Sequence, residues 1–230
     1  MAKSGAQQIP LDLAGRSALG REDFLIGRSN REAVEWIDRW PEWPAPLLVI
    51  SGPAASGKSH LAAVWRDQNG ARMVEPKMLE SASAEEIFAD GMPLVLDGLD
   101  LWIGSREAET TLFHLYNMFR ESGGFFLATS RMAPAALEFA LQDLASRFRA
   151  APHAVIKSPD DTLLASVLIK LFSDRQLRVG NDVVNYILPR MERSFVAARD
   201  LVAKIDSLAL AQKRAVSIPL AREALMMAGG

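Results

Sequence analysis

The 230-residue chain contains no cysteine, which removes disulfides, thiolate metal sites and thiol nucleophiles together and suits a reducing cytoplasm. Histidine is nearly as scarce, with three residues too scattered for a metal cluster. No sign of charge dominates: Lys and Arg total 26 against 28 Asp and Glu, a formal net charge of −2. Overall attraction to nucleic acid or to an anionic membrane is therefore not implied, and any DNA contact has to be local or indirect. No apolar run reaches the roughly 18 residues of a membrane span, and the first eight residues lack the apolar stretch of a secretory signal. A soluble cytoplasmic protein without a membrane partner is the expectation. The length suffices for one good-sized α/β domain with a smaller appendage and a core that needs no covalent staple.

What is present divides into three parts. Residues 1–22 are polar, punctuated by glycine and without sustained periodicity, which reads as a flexible arm with one short apolar segment. In residues 23–157 strand and helix patterns alternate. Ala33, Val34, Ile37 and Trp40 recur at helical spacing behind a Ser29 or Asn30 cap, and Leu47-Leu48-Val49-Ile50 suits a buried parallel strand. Further strands are expected at 72–74, 93–96, 125–129 and 154–156, with helices from about Lys58 and over 84–89, 107–121 and 134–149. This alternation predicts an α/β fold, a mostly parallel sheet between helices, with ligands at the carboxyl ends of its strands. Residues 158–230 show helical patterns alone, over 160–175, 181–191, 194–212 and 219–227, and read as a small all-α domain.

Gly52-Pro53-Ala54-Ala55-Ser56-Gly57-Lys58-Ser59 fits the phosphate-loop pattern G-x-x-x-x-G-K-[ST] between an expected strand and helix. Glycines let the backbone wrap a phosphate, and the helix N-terminus supplies positive potential. Lys58 reaches the β- and γ-phosphates, and the Ser59 hydroxyl can ligate Mg²⁺. ATP or ADP with Mg²⁺ is the expected ligand. An apolar strand ending in an acid, Leu94-Val95-Leu96-Asp97, supplies the second element of such a site, with Asp97 holding the metal through Ser59 or water; the bland alternative is an Asp capping a turn. Gly98 stands where hydrolytic members often carry a second acid, and the next carboxylate is Asp100, so weak intrinsic hydrolysis is expected.

Several segments resemble the AAA+ proteins related to the replication initiator DnaA. Phe24-Leu25-Ile26-Gly27-Arg28-Ser29-Asn30-Arg31 precedes the first helix, and Gly57-Lys58-Ser59-His60-Leu61 follows at the phosphate loop. Thr129-Ser130-Arg131-Met132-Ala133-Pro134 resembles the sensor-1 turn, Leu144-Ala145-Ser146-Arg147-Phe148 the segment bearing an arginine finger, and Ala198-Arg199-Asp200-Leu201 sensor 2 in a helical lid. The likeness runs over about residues 20–227. It implies an adenine pocket lined by Ile26 and Gly27, a γ-phosphate sensor at Ser130 or Arg131, and Arg199 reaching the phosphates from the lid. Arg147 would act in trans on a neighbouring subunit's nucleotide. His60 falls within the nucleotide-binding stretch, packing at the helix start rather than doing chemistry. Arg131 departs from the pattern, being basic where an acid is expected. Arg147 and Arg199 also read, more blandly, as solvated helix charges.

In the arm, Gln8-Ile9-Pro10-Leu11-Asp12-Leu13 resembles the short peptides that dock on the bacterial sliding clamp: a polar Gln anchor followed by Leu11 and Leu13 suits an apolar surface groove. The bland reading is a linker or a packed strand. With the ATPase module beside it, the set is similar to the Hda group of DnaA-related proteins. That resemblance implies a negative regulator of replication initiation, replisome-associated in the cytoplasm, that binds ADP, joins the DNA-loaded clamp and stimulates ATP hydrolysis by DnaA through Arg147. DNA would be reached through the clamp, and self-association as a dimer or higher form is expected. An origin-reading helix-turn-helix domain is not expected, since the sequence stops at Gly230. An autonomous ATPase or loader, and an assembly factor that tethers DnaA or single-stranded DNA, are the alternatives.

Overall fold

The computed structural model describes residues 25–75, 77–89 and 91–228; the segment 8–13 read as a clamp-docking peptide lies outside them. The strands β1 (Leu47–Ser51), β2 (Arg72–Val74), β3 (Leu94–Leu96), β4 (Phe126–Ser130) and β5 (His153–Val155) form one sheet in the order β2-β3-β4-β1-β5. Every pairing is parallel, and β1 and β4 run in register from Leu47 opposite Phe126 to Ser51 opposite Ser130.

Successive side chains of these strands point to opposite faces, and both faces are covered, which is why the strands read as unbroken apolar runs. On one side Leu47, Val49, Leu94, Leu96, Phe126 and Ala128 pack with α3 (Met78–Ser81), α4 (Ala84–Phe88), α5 (Arg106–Ser122) and α6 (Gln142–Ala150). On the other, Leu48, Ile50, Val95 and Leu127 pack with α1 (Arg31–Asp38) and α2 (Lys58–Asn69). Trp65 of α2 is fully buried there and stacks on Trp43 with ring centroids 5.4 Å apart. Truncating such an indole costs about 3–5 kcal/mol, so this corner fixes α2 firmly under the phosphate loop.

Beyond the sheet, α7 (Asp161–Asp174), α8 (Asn181–Ile187), α9 (Phe195–Gln212) and α10 (Ile218–Ala228) share a separate core built on Leu168, Phe172, Ile187, Val202, Ile205 and Leu220. Side-chain caps start two of these helices: Asp160 accepts from the Leu163 N–H at 2.8 Å and Ser194 from the Ala197 N–H at 3.0 Å. Among the described residues no helix is long and apolar enough to cross a membrane.

Three expectations are corrected. The helix read over 134–149 is instead a 3-10 turn at Pro134–Ala136, an extended stretch and then α6. The Ala140 and Leu141 N–H groups donate to the Glu109 carboxylate, at 2.9 and 2.7 Å, instead of entering a helical ladder. The helix read over 181–191 ends at Ile187 and tightens into a 3-10 turn at Leu188–Arg190, where Pro189 has no N–H to continue it. Asn30 holds the N-cap position of α1 without capping it. Its side chain turns back, accepting from the Gly27 N–H at 2.8 Å and donating to the Leu25 carbonyl at 2.9 Å.

Candidate functional site

β1 leads into the phosphate loop at the carboxyl edge of the sheet. The Gly52 N–H donates to the Ser130 carbonyl at 3.1 Å, and a Cβ at Gly52, where φ is +156°, would lie 2.1 Å from the Ile156 carbonyl oxygen. Only glycine fits. Gly57, with φ +98°, begins α2 and has no side chain with which to cap it. Ser56 is buried, and among the described residues its hydroxyl has no partner. Lys58 is only 8 % exposed, and its Nζ donates to the Pro53 carbonyl at 2.6 Å. Burial pulls the Lys58 pKa below the ordinary 10.5, with Asp100 and Asp97 acting against that shift and Arg131 adding to it. An orphan hydroxyl, an uncapped helix start and a buried ammonium in one loop fit a bound phosphate. Pro53 and Ala54 lie exposed on its outer side, and Ala55 is half-buried with φ +56°.

At the end of β3, Asp97 Oδ1 accepts from the Ser59 hydroxyl at 3.0 Å and from the Thr129 hydroxyl at 2.5 Å, while Thr129 Oγ1 accepts from the Gly98 N–H at 3.0 Å. This brings the two expected metal-binding residues together, and a hydroxyl beside one carboxylate fits Mg²⁺, which takes its remaining oxygens from phosphate and water. Among the described residues no group of three or more His, Asp or Glu could hold a metal unaided, so a Mg²⁺ at Ser59 and Asp97 would need oxygens from a bound nucleotide and water. The sensor candidates diverge. Ser130 is fully buried and its hydroxyl accepts from the Met132 N–H at 3.1 Å, whereas the Arg131 side chain is 66 % exposed. Asp100 accepts from the Arg131 N–H at 2.9 Å and lies 3.9 Å from Arg131 Nε.

Ile26 presents an exposed apolar side chain next to Gly27, whose added Cβ would meet Leu163 of α7 at 3.0 Å. The helix bearing the sensor-2 candidate meets the loop: the Phe195 ring of α9 is 3.1 Å from a Cβ placed on Gly57, and Arg199, one turn further on, shares its helix face. Arg199 is exposed and pairs with its neighbour Asp200 at 3.5 Å. His60 is exposed in the first turn of α2.

Arg147 is elsewhere. It belongs to α6, on the opposite side of the sheet from α2. Its guanidinium lies 4.0 Å from the Phe113 ring centroid and 5.2 Å from that of Tyr116, and donates to Asn117 Oδ1 at 2.6 Å. Three of the residues involved in these arrangements escaped sequence reasoning. Thr129 sits one position before the sensor-1 pair and so was within reach. Glu109 carried a readable signal, a carboxylate at a position shared by buried Ala108, Leu112 and Tyr116 of α5. Asn117 carried none, because a polar residue on a partly exposed helix is unremarkable until α6 is placed over it.

A parallel 2-3-4-1-5 sheet with a phosphate loop after β1, an acid after β3 and a helical lid touching the loop defines an AAA+ nucleotide-binding fold. Residues 161–225 match the family described as Hda, lid domain. Together with the likenesses to DnaA along most of its length, this match over the lid supports a DnaA-related AAA+ protein of the Hda type. It is 23 % identical to the chromosomal replication initiator protein DnaA of Thermomicrobium roseum over 89 % of this chain and 48 % of that one. With DnaA of Lachnoclostridium phytofermentans the identity is 26 %, over 89 % and 50 %. The chain thus spans about half the length of the curated relatives it matches. Domain III of Thermotoga maritima DnaA superposes with a TM-score of 0.74 at 21 % identity, covering 89 % of this chain and 94 % of that one. DnaA bound to AMPPCP and single-stranded DNA superposes at 0.69 and 17 % identity, covering 88 % and 70 %. These structural likenesses speak to the fold.

Proposed function

We propose that this protein is a negative regulator of replication initiation. It holds ADP in its own phosphate loop, docks on the DNA-loaded sliding clamp through Gln8 to Leu13, and stimulates ATP hydrolysis by DnaA through Arg147. The observation that carries this reading is the separation of its two cationic groups. Lys58 serves the chain's own nucleotide, whereas Arg147 lies on the far side of the sheet, held by Phe113, Tyr116 and Asn117. A guanidinium is always charged, and aimed at a neighbour's γ-phosphate it stabilises the negative charge that develops on the transferring group. Gly98 beside Asp97 supplies no carboxylate to orient a water, which favours retention of ADP over turnover. Mg²⁺, held through Ser59 and Asp97, would neutralise phosphate charge. Arg199 would close the lid over the phosphates and Ile26 would cover the base. Two copies, or one copy and DnaA, would meet at this face, in the cytoplasm at the replisome.

The test is ATP hydrolysis by purified DnaA with DNA-loaded clamp, adding wild type, Arg147→Ala or a Gln8→Ala/Leu11→Ala/Leu13→Ala variant. Stimulation by wild type and its loss in both variants is expected; a well-folded, nucleotide-bound wild type that gives no stimulation sinks the reading. One observation favours a second reading, an autonomous ATPase: Asp100 is close enough to act on the Lys58 charge. Turnover by the protein alone, abolished by Asp100→Asn, would establish it.

A further inference from the structure

The lid carries a cationic surface built from residues other than those assigned to the nucleotide site. Four lid cations are matched by carboxylates: Lys170 by Asp174 at 3.3 Å, Arg175 by Asp206 at 3.9 Å, Arg193 by Asp161 at 2.7 Å and Arg199 by Asp200 at 3.5 Å. Two others converge on a tyrosine instead. Arg190, in the turn after α8, lies 4.1 Å from the Tyr186 ring centroid and donates to the Tyr186 carbonyl at 2.9 Å. Arg222, on α10, lies 5.9 Å from the same ring and donates to the Tyr186 hydroxyl at 3.2 Å. Among the described residues neither forms an ion pair, and both are exposed.

The surface continues around the end of α9. Arg214 donates to Gln212 at 3.1 Å, and Gln212 donates to Glu223, the residue next to Arg222, at 2.8 Å. Lys213 lies between Gln212 and Arg214 and is exposed. Glu223 is engaged by Gln212, and among the described residues Arg190 and Arg222 have no ion pair, so the repulsion between these neighbouring cations is relieved when an anion arrives. A guanidinium lying on a ring spends its face on the stack and keeps in-plane N–H groups for a bidentate acceptor. Cations spread over several elements match regularly spaced phosphates better than one carboxylate.

We propose that Arg190 and Arg222, ordered on Tyr186 and flanked by Lys213 and Arg214, form a binding site for the sugar-phosphate backbone of DNA. It takes DNA without reading sequence, and it shares no residue with the nucleotide site. The inference stands apart from the regulator reading, because DNA binding is measured without DnaA or clamp.

The experiment is fluorescence anisotropy of the full chain with labelled duplex and single-stranded oligonucleotides of unrelated sequence over a range of salt. An Arg190→Gln/Arg222→Gln variant should bind about tenfold more weakly at low salt, with a log–log salt slope smaller by about two. Arg190→Lys/Arg222→Lys should recover part of the affinity, and Lys170→Gln should match wild type. Bound nucleotide and an unchanged melting temperature certify that each variant is folded. Equal DNA binding by wild type and the Gln pair at every salt overturns the proposal. So does wild type that ignores DNA but binds polyglutamate in an Arg190- and Arg222-dependent way, since the partner would then be an acidic protein surface.

Discussion

The end of α6 and the first turns of α9 each carry an arginine that the sequence singles out, and the fold treats them in opposite ways. Arg147 is anchored twice, by aromatic stacking and by a hydrogen bond to Asn117, so little side-chain freedom remains to be lost when it meets a phosphate. Arg199 is 62 % exposed, and its ion pair among the described residues is with its sequence neighbour Asp200. A pair of that kind contributes about 0–1 kcal/mol and leaves the side chain free to follow the lid. The contrast is what the two proposed roles would require: a preorganised group delivered to another subunit, and a less restrained group reaching the chain's own nucleotide.

The largest effect is expected at Arg147. Arg147→Ala should lower stimulated hydrolysis by DnaA about a thousandfold or more, read by single-turnover assays, with nucleotide affinity of this protein unchanged. Comparable loss in Arg199→Ala with Arg147→Ala spared would reverse the comparison. Gly52→Ala should come next, because its Cβ collides with the Ile156 carbonyl at a positive φ. Nucleotide binding should be lost by calorimetry, with stability lowered by about 2–4 kcal/mol in denaturant melts.

Asn117→Ala leaves the aromatic stack and removes one charge-assisted hydrogen bond. Stimulation should fall by about tenfold without loss of clamp or nucleotide binding; full activity would mean that stacking alone orients Arg147. Arg199→Ala should weaken ADP and ATP binding by about tenfold and change stability by less than about 0.5 kcal/mol, measured by titration calorimetry and thermal melts.

The smallest effect concerns His153, whose Nε2 is 2.7 Å from the Ser51 hydroxyl. Burial holds its pKa below the ordinary 6.5, with Glu32 opposing. The unfolded chain therefore binds more protons as pH falls through 6.5, so this contribution is complete above that pH and is lost as pH drops toward the folded value. Melting temperatures should fall slightly below about pH 6.5, and His153→Gln should flatten that dependence.

Much of the fold was readable because it rests on periodicity. The strand at β2 matches its expected residues and the other strands begin or end within a residue or two, since runs such as Leu94-Val95-Leu96 between polar turns have few other uses in an α/β chain. The boundaries that failed, at 137–141 and 188–190, failed through a distant carboxylate and a proline in a tightening helix. In the site, the phosphate loop and Asp97 were legible because their spacing is local.

From sequence alone follow the α/β class, the phosphate loop at Gly52 to Ser59, the acid at Asp97 and the family likeness, since each depends on residues close together in the chain. Tertiary structure decided that Thr129 ties Asp97 to Gly98, that Glu109 fixes the entry to α6, and that Asn117 and Phe113 hold Arg147 while Arg199 stays exposed. Those outcomes depend on which groups packing brings within hydrogen-bonding or stacking distance across some 30 residues of chain, and local pattern holds no record of that.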